Sequence, residues 1–193
     1  MKNKLWLVVI VLAISLGTAA VPAGAREWKG IDFPDQIQVD GANLVLNGLG
    51  LRQATAFKVS VYVAGLYVAD KSGDPQAILQ APTPKRLVLH FLRNVGGSDL
   101  TQAWDEGFEK NAADQIPALK ERIEKIKSFT KDMKTGQRLT FTYKPGTGIV
   151  TDIDGEVMGT VEGDDFSKAF LSIWLGPNPP NQKLKDGLLG AAT

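Results

Sequence analysis

The chain has 193 residues, a formal net charge of +1, one histidine and no cysteine. That composition excludes disulfide frameworks, Cys-based metal sites and thiol catalysis, and a lone His90 excludes a multi-histidine metal centre. A charge so near zero gives no electrostatic footprint for nucleic acid or for an anionic membrane.

The first residues read MKNKLWLVVIVLAISLGTAAVPAGA. Lys2 and Lys4 precede an apolar run from Leu5 to Leu16, and Ala23-Gly24-Ala25 is a small-x-small cleavage site. Together they predict a secretory signal peptide over residues 1–25. The run falls short of the roughly 20 residues a spanning helix needs, and an uncleaved N-terminal anchor is the alternative. With no cysteine after the run, a lipoprotein anchor is excluded. Cleavage after Ala25 leaves a single domain, residues 26–193, that is periplasmic or secreted, has no stable membrane insertion and depends on its core alone for stability.

Residues 26–36 read as an extended lead-in, with Pro34 interrupting any strand. Ile37–Val39 and Leu44–Leu51 flank Asp40-Gly41, a hairpin dipeptide. Phe57 to Val68 gives the strongest strand signal. Phe57, Val59, Val61, Val63 and Tyr67 fall on one face, and Ser60, Tyr62, Ala64, Leu66 and Val68 on the other. Both faces are largely apolar, the mark of a central strand covered on both sides.

A short helix over "DPQAILQ" and a Pro-rich break precede a strand from Lys85 to Arg93. Ser98 is placed to cap a helix running to about Ala113, with a stripe of Leu100, Trp104, Phe108 and Asn111. Pro117 opens the next helix, with Leu119, Ile123, Ile126 and Phe129 on its apolar face. From Arg138 the period returns to two, predicting a three-stranded meander with turns at Pro145-Gly146 and Asp154-Gly155. A helix follows from Asp164, with Phe166, Ala169, Phe170, Ile173 and Trp174 on its stripe, and Gly176 stops it. A last short helix spans about Asn181 to Leu189. This order, joined by close turns, predicts an α+β fold: one antiparallel sheet with helices packed on one face.

Few residues stand out chemically. Arg52 follows Gly48 and Gly50, and glycines in a strand permit close approach to the backbone. Its planar fork suits a carboxylate, either a surface Asp or Glu of the chain or a ligand. Tyr62 stands between the small Ser60 and Ala64, which leaves space above the sheet for a pocket or for a helix such as 166–174. Asn111, on a buried stripe, must be hydrogen-bonded, as a helix cap or to a ligand. His90 reads as structural. Asp152 and Asp154 read as turn residues, lacking the spacing of a calcium loop. No metal or cofactor is expected.

"LNGLGLR…FKVSVYVAGLYV", "LHFLR", "AWDEGFEKN" and "AFLSIWLG" resemble the bacterial, exported branch of the chalcone isomerase-like family over about residues 38–190. The resemblance implies that family's open-faced sandwich, with a ligand cleft between sheet and helices. Plant chalcone isomerase lines its cleft with an arginine, a strand threonine, a tyrosine and an asparagine seven apart on a helix, and a Thr or Ser near the last helix. Arg52 and Asn111 match two of these. Trp104 replaces the helix tyrosine, Tyr62 aligns with the strand threonine, and the last position falls near Asn181 or Gln182.

The family's plastid fatty-acid-binding proteins pair the early arginine with a tyrosine on the next strand, which Arg52 and Tyr62 match in type and spacing. The expectation is an exported, non-catalytic binder of a small amphiphilic carboxylate such as a fatty acid. Arg52, Tyr62 and Asn111 would meet its head group, and Trp104 and Phe108 its tail. The alternatives are an isomerase or intramolecular lyase acting on a chalcone-like or other enone substrate, with Arg52 as electrophile and Tyr62 as acid, and a periplasmic structural protein with a closed core.

Overall fold

A computed structural model of the chain describes residues 24–54 and 57–191. The predicted signal peptide lies almost wholly outside the described residues. No helix among them is long and apolar enough to cross a membrane.

The centre of the fold is a seven-stranded antiparallel sheet whose spatial order equals its chain order. It comprises β3 (Gln36–Val39), β4 (Ala42–Ala54), β5 (Val59–Val68), β6 (Lys85–Phe91), β7 (Arg138–Lys144), β8 (Gly148–Ile153) and β9 (Glu156–Val161). Asp40-Gly41 and Asp154-Gly155 turn with positive φ at both residues, as tight hairpins of this hand require. The predicted meander is β7–β8–β9.

Helices cover one face: α1 (Pro75–Gln80), α2 (Gly97–Asn111), α3 (Ile116–Ser128), α4 (Asp164–Leu175) and α5 (Gln182–Leu188). Nearly every residue of α4 from Phe166 to Leu175 is buried, so its apolar character extends beyond one stripe. Phe141 and Phe170 meet edge-on at 4.8 Å between ring centroids, and Trp104 of α2 lies edge-on to both. Tyr62, Ala64, Leu66 and Val68 of β5 and Leu87, Leu89 and Phe91 of β6 form the sheet side of this core.

The structure corrects four local expectations. Residues 25–34 are not a plain lead-in but a hairpin, β1 (Ala25–Trp28) and β2 (Ile31–Pro34), turning at Lys29-Gly30 with positive φ. Its Ile31 and Phe33 join Val63, Tyr67 and Val88 in a second core on the sheet's other face. The expected cleavage point follows the first residue of β1. Phe57 lies in the turn before β5 and is 90% exposed. Gly96, not Ser98, stands at the N-cap of α2, and no side chain caps that end.

The fourth correction concerns β5. Arg52 pairs with Tyr62 and Gln53 with Ser60, which leaves Val61 as the extra residue of a bulge. Strict alternation would put Val61 opposite Tyr62. The bulge instead turns Val61 toward the helix-side core, so two consecutive residues face the same way.

Candidate ligand cleft

Past Val61, the helix layer leaves part of the sheet open. A cleft of about 350 Å³ lies between the ends of β4–β6, the first three turns of α2, the last turn of α4 and the segment after it. Leu89, Leu100, Trp104 and Ile173 supply apolar walls, and Arg52, Tyr62 and Trp174 lie among them. Charged residues at the mouth include Arg93, Asp99, Glu106 and Lys110.

Arg52 is half-buried on β4. Its Nη1 donates to the carbonyls of Gln53 and, at 3.1 Å, Pro180. These bonds hold the guanidinium at the lip of the cleft. Nε and Nη2 donate to nothing among the described residues, and no described carboxylate comes within salt-bridge distance of the group. Glu106, one of two acids on the same rim, accepts from Gln102 and Lys110. Those hydrogen bonds, with the Lys110 charge and a lesser contribution from Arg52, hold its carboxyl below the usual range.

Tyr62 is buried, with its ring edge-on to Phe91. Its hydroxyl oxygen accepts the indole N–H of Trp174 at 3.0 Å, and its own proton has no acceptor among the described residues. Burial raises its pKa, outweighing the opposing effects of the Trp174 hydrogen bond and the Arg52 charge. The space beside Tyr62 is filled in part by Trp174 of α4 and is otherwise cleft, whereas Ser60, expected on the same face, lies beyond the bulge opposite Gln53 and does not line it.

Trp104 lines the cleft, whereas Phe108 and Asn111 do not. One turn beyond Trp104, α2 closes onto α4 at Gly107, where an added Cβ would sit 2.7 Å from Ile173. Phe108 is sealed between Phe166 and Phe170. Asn111 donates to the carbonyls of Gly107 and Asn178 at 3.0 and 3.1 Å and accepts from the Asn178 N–H at 2.9 Å. It closes α2 and pins the segment whose Asn178, Pro179 and Pro180 form one wall of the cleft. Asn181 likewise spends its side chain on the backbone of Leu51 and Gln53.

The glycines before Arg52 admit the chain's own backbone. A Cβ on Gly48 would meet the Gly187 carbonyl at 2.0 Å, and one on Gly50 the Leu184 carbonyl at 2.2 Å, so α5 lies directly on β4. Beside them, the buried Asn47 donates to the carbonyls of Ser72 and Leu188 and accepts from the Ser72 N–H. Neither Asn47 nor Trp174 stood out in the sequence as part of this region.

His90 lies away from the cleft, and its Nδ1 accepts from Arg138 at 3.3 Å. Among the described residues no cluster of three or more His, Asp or Glu side chains is placed to hold a metal.

The sequence profile of chalcone isomerase-like proteins matches residues 25–190. This chain belongs to the chalcone isomerase-like family. No curated protein matches its sequence significantly. Among solved structures, a fatty-acid-binding protein of Arabidopsis thaliana is similar in fold, with a TM-score of 0.67 at 15% identity over 86% of this chain and 96% of that one. At that identity the likeness establishes the shared sheet-and-helix architecture.

Proposed function

We propose that this member of the family binds a small amphiphilic carboxylate, such as a fatty acid, without turning it over, and that residues 1–25 direct it to the periplasm or outside the cell. The observation that carries the reading is Arg52: a guanidinium at the lip of an apolar cleft, with Nε and Nη2 unclaimed and no described acid paired with it. An apolar cleft with a few convergent polar groups suits such a ligand. Arg52 takes the head group, Tyr62 donates its hydroxyl proton, and Leu89, Leu100 and Trp104 cover the tail.

Magnitudes are sufficient. A charge-assisted hydrogen bond contributes roughly 1.5–3 kcal/mol, and each buried CH₂ about 0.8 kcal/mol. Micromolar affinity needs about 8 kcal/mol. The similar fold of a plant fatty-acid-binding protein supports the reading. Against turnover, Trp104 stands where the enzyme's resemblance calls for a tyrosine donor, and Asn111 is committed to the Asn178 backbone.

Displacement of a fluorescent fatty-acid probe by dodecanoate tests this. Arg52→Ala should weaken binding by about tenfold to a hundredfold, and Arg52→Lys by less. Equal affinity in wild type and both variants ends the head-group assignment.

A further inference from the structure

Three features inside the cleft share one property. Arg52 has free N–H groups, Tyr62 has an unclaimed hydroxyl proton, and the indole N–H of Trp104 has no acceptor among the described residues. A guanidinium and an indole can only donate. A tyrosine hydroxyl can donate or accept, and here Trp174 makes the difference. Its indole N–H, 2% exposed as a residue, occupies the acceptor side of the Tyr62 oxygen at 3.0 Å. The favourable orientation left to the Tyr62 proton is away from Trp174.

We propose that Trp174 is a positioning residue that sets head-group selectivity. By donating to Tyr62 it makes that hydroxyl a donor, so the inner wall of the cleft accepts ionised, acceptor-only head groups and disfavours heads that must donate, such as alcohols. This rests on the carboxylate-binding reading above and names what that site rejects. Trp174 is fixed for the role. It packs edge-on against Phe170 at 5.3 Å and tilted on Phe141 at 5.8 Å, so the indole has little freedom to leave Tyr62. A head group that brings its own proton finds no acceptor on this wall and leaves a buried donor facing a donor, a costly arrangement. The Asn94 oxygen is taken by Thr135, and the remaining acceptors of the lining, the Asp99 and Glu106 carboxylates and the Asn178 side-chain oxygen, belong to exposed residues at the mouth rather than to this wall.

The test uses dodecanoate and dodecanol as probes of one tail length, each displacing a fluorescent fatty acid from the whole protein. Trp174→Phe frees the acceptor side of Tyr62. The acid-to-alcohol affinity ratio should fall about tenfold, the value of one neutral hydrogen bond gained by the alcohol. In a Tyr62→Phe background the same change should leave the ratio unmoved, because Trp174 acts only through that hydroxyl. A ratio unchanged by Trp174→Phe, or lowered equally without the Tyr62 hydroxyl, overturns the inference while Arg52-dependent dodecanoate binding keeps the site. Absence of dodecanoate binding in wild type overturns both. Should Trp174→Phe fail to fold, the wild-type Trp174 indole N–H decides by hydrogen exchange. Protection in both the free and dodecanoate-bound protein is expected, and loss of protection on binding refutes the role.

Discussion

Arg52 and Tyr62 are direct cross-strand partners on β4 and β5, at the last paired position before the bulge at Val61. Side chains directly opposite each other on an antiparallel pair stand within about 5.5 Å at Cβ. The pairing therefore brings a cation and a phenol to one end of the cleft, where the Pro180 carbonyl helps hold the guanidinium. The bulge next to them interrupts the ladder before it resumes at Gln53 and Ser60, a common device where a sheet opens beside a site.

α5 holds β4 by backbone contact on the helix-side face, so Gly50→Ala should be costly although it adds one methyl group. The Leu184 carbonyl would have to withdraw from a 2.2 Å approach. Overpacking of this kind costs about 1–3 kcal/mol. Urea unfolding should show it as a lower midpoint with an unchanged slope, and a midpoint equal to wild type would mean that α5 is not seated on β4 as described.

The same glycines show how far the sequence could be read. Their spacing correctly announced a close approach to the strand, but the approaching group is α5, more than 130 positions later in the chain, and no local pattern specifies it. Period-two alternation gave the meander and the central strand, and Asp-Gly dipeptides gave two of the turns, because these signals are local. The β1–β2 hairpin was missed because Lys29 enters a positive-φ turn that lysine does not advertise, and Pro34 looked like an interruption when it ends the strand. Val61 was assigned to the wrong face because a bulge shifts the period by one, and the alternation of apolar residues does not record it. In the cleft, Arg52 and Tyr62 were legible as residue types out of place, and Trp104 only through the family resemblance. Trp174 was not, since an indole on an apolar helix stripe looks like core until its N–H is found on a phenol.

Asn111 separates wall-building from ligand contact. Asn111→Ala removes its three bonds to Gly107 and Asn178 and should destabilise the protein by roughly 1–3 kcal/mol. It should also raise the rate at which dodecanoate leaves, because the Asn178–Pro180 wall loosens. The added loss from Arg52→Ala should be the same with and without Asn111, as for residues that share no ligand group. Strong non-additivity in stopped-flow release would instead place Asn111 on the head group.

Acid stability should depend in part on the start of α4. Arg122 grips Asp165 with bonds of 2.7 and 2.8 Å and holds its carboxyl down at about 2. The unfolded chain releases that proton near 3.9. Folding therefore gains from the pair above about pH 4, and the gain is lost as pH falls toward about 2. Because the pair is largely exposed, Asp165→Asn should cost at most about 1 kcal/mol at neutral pH. The difference should vanish at the acid end. A cost that persists there would point to packing rather than charge.

Dodecanoate labelled with ¹³C at the carboxyl group, followed by NMR as pH is lowered, reads the head-group site most directly. Bound to wild type, its carboxyl should titrate below the ordinary carboxylate range, because the adjacent Arg52 guanidinium favours the charged form. Arg52→Ala should return the bound signal to that range or abolish binding. A bound carboxyl that titrates as it does in water, with no response to Arg52→Ala, would contradict the assignment of Arg52 as the group that holds the ligand.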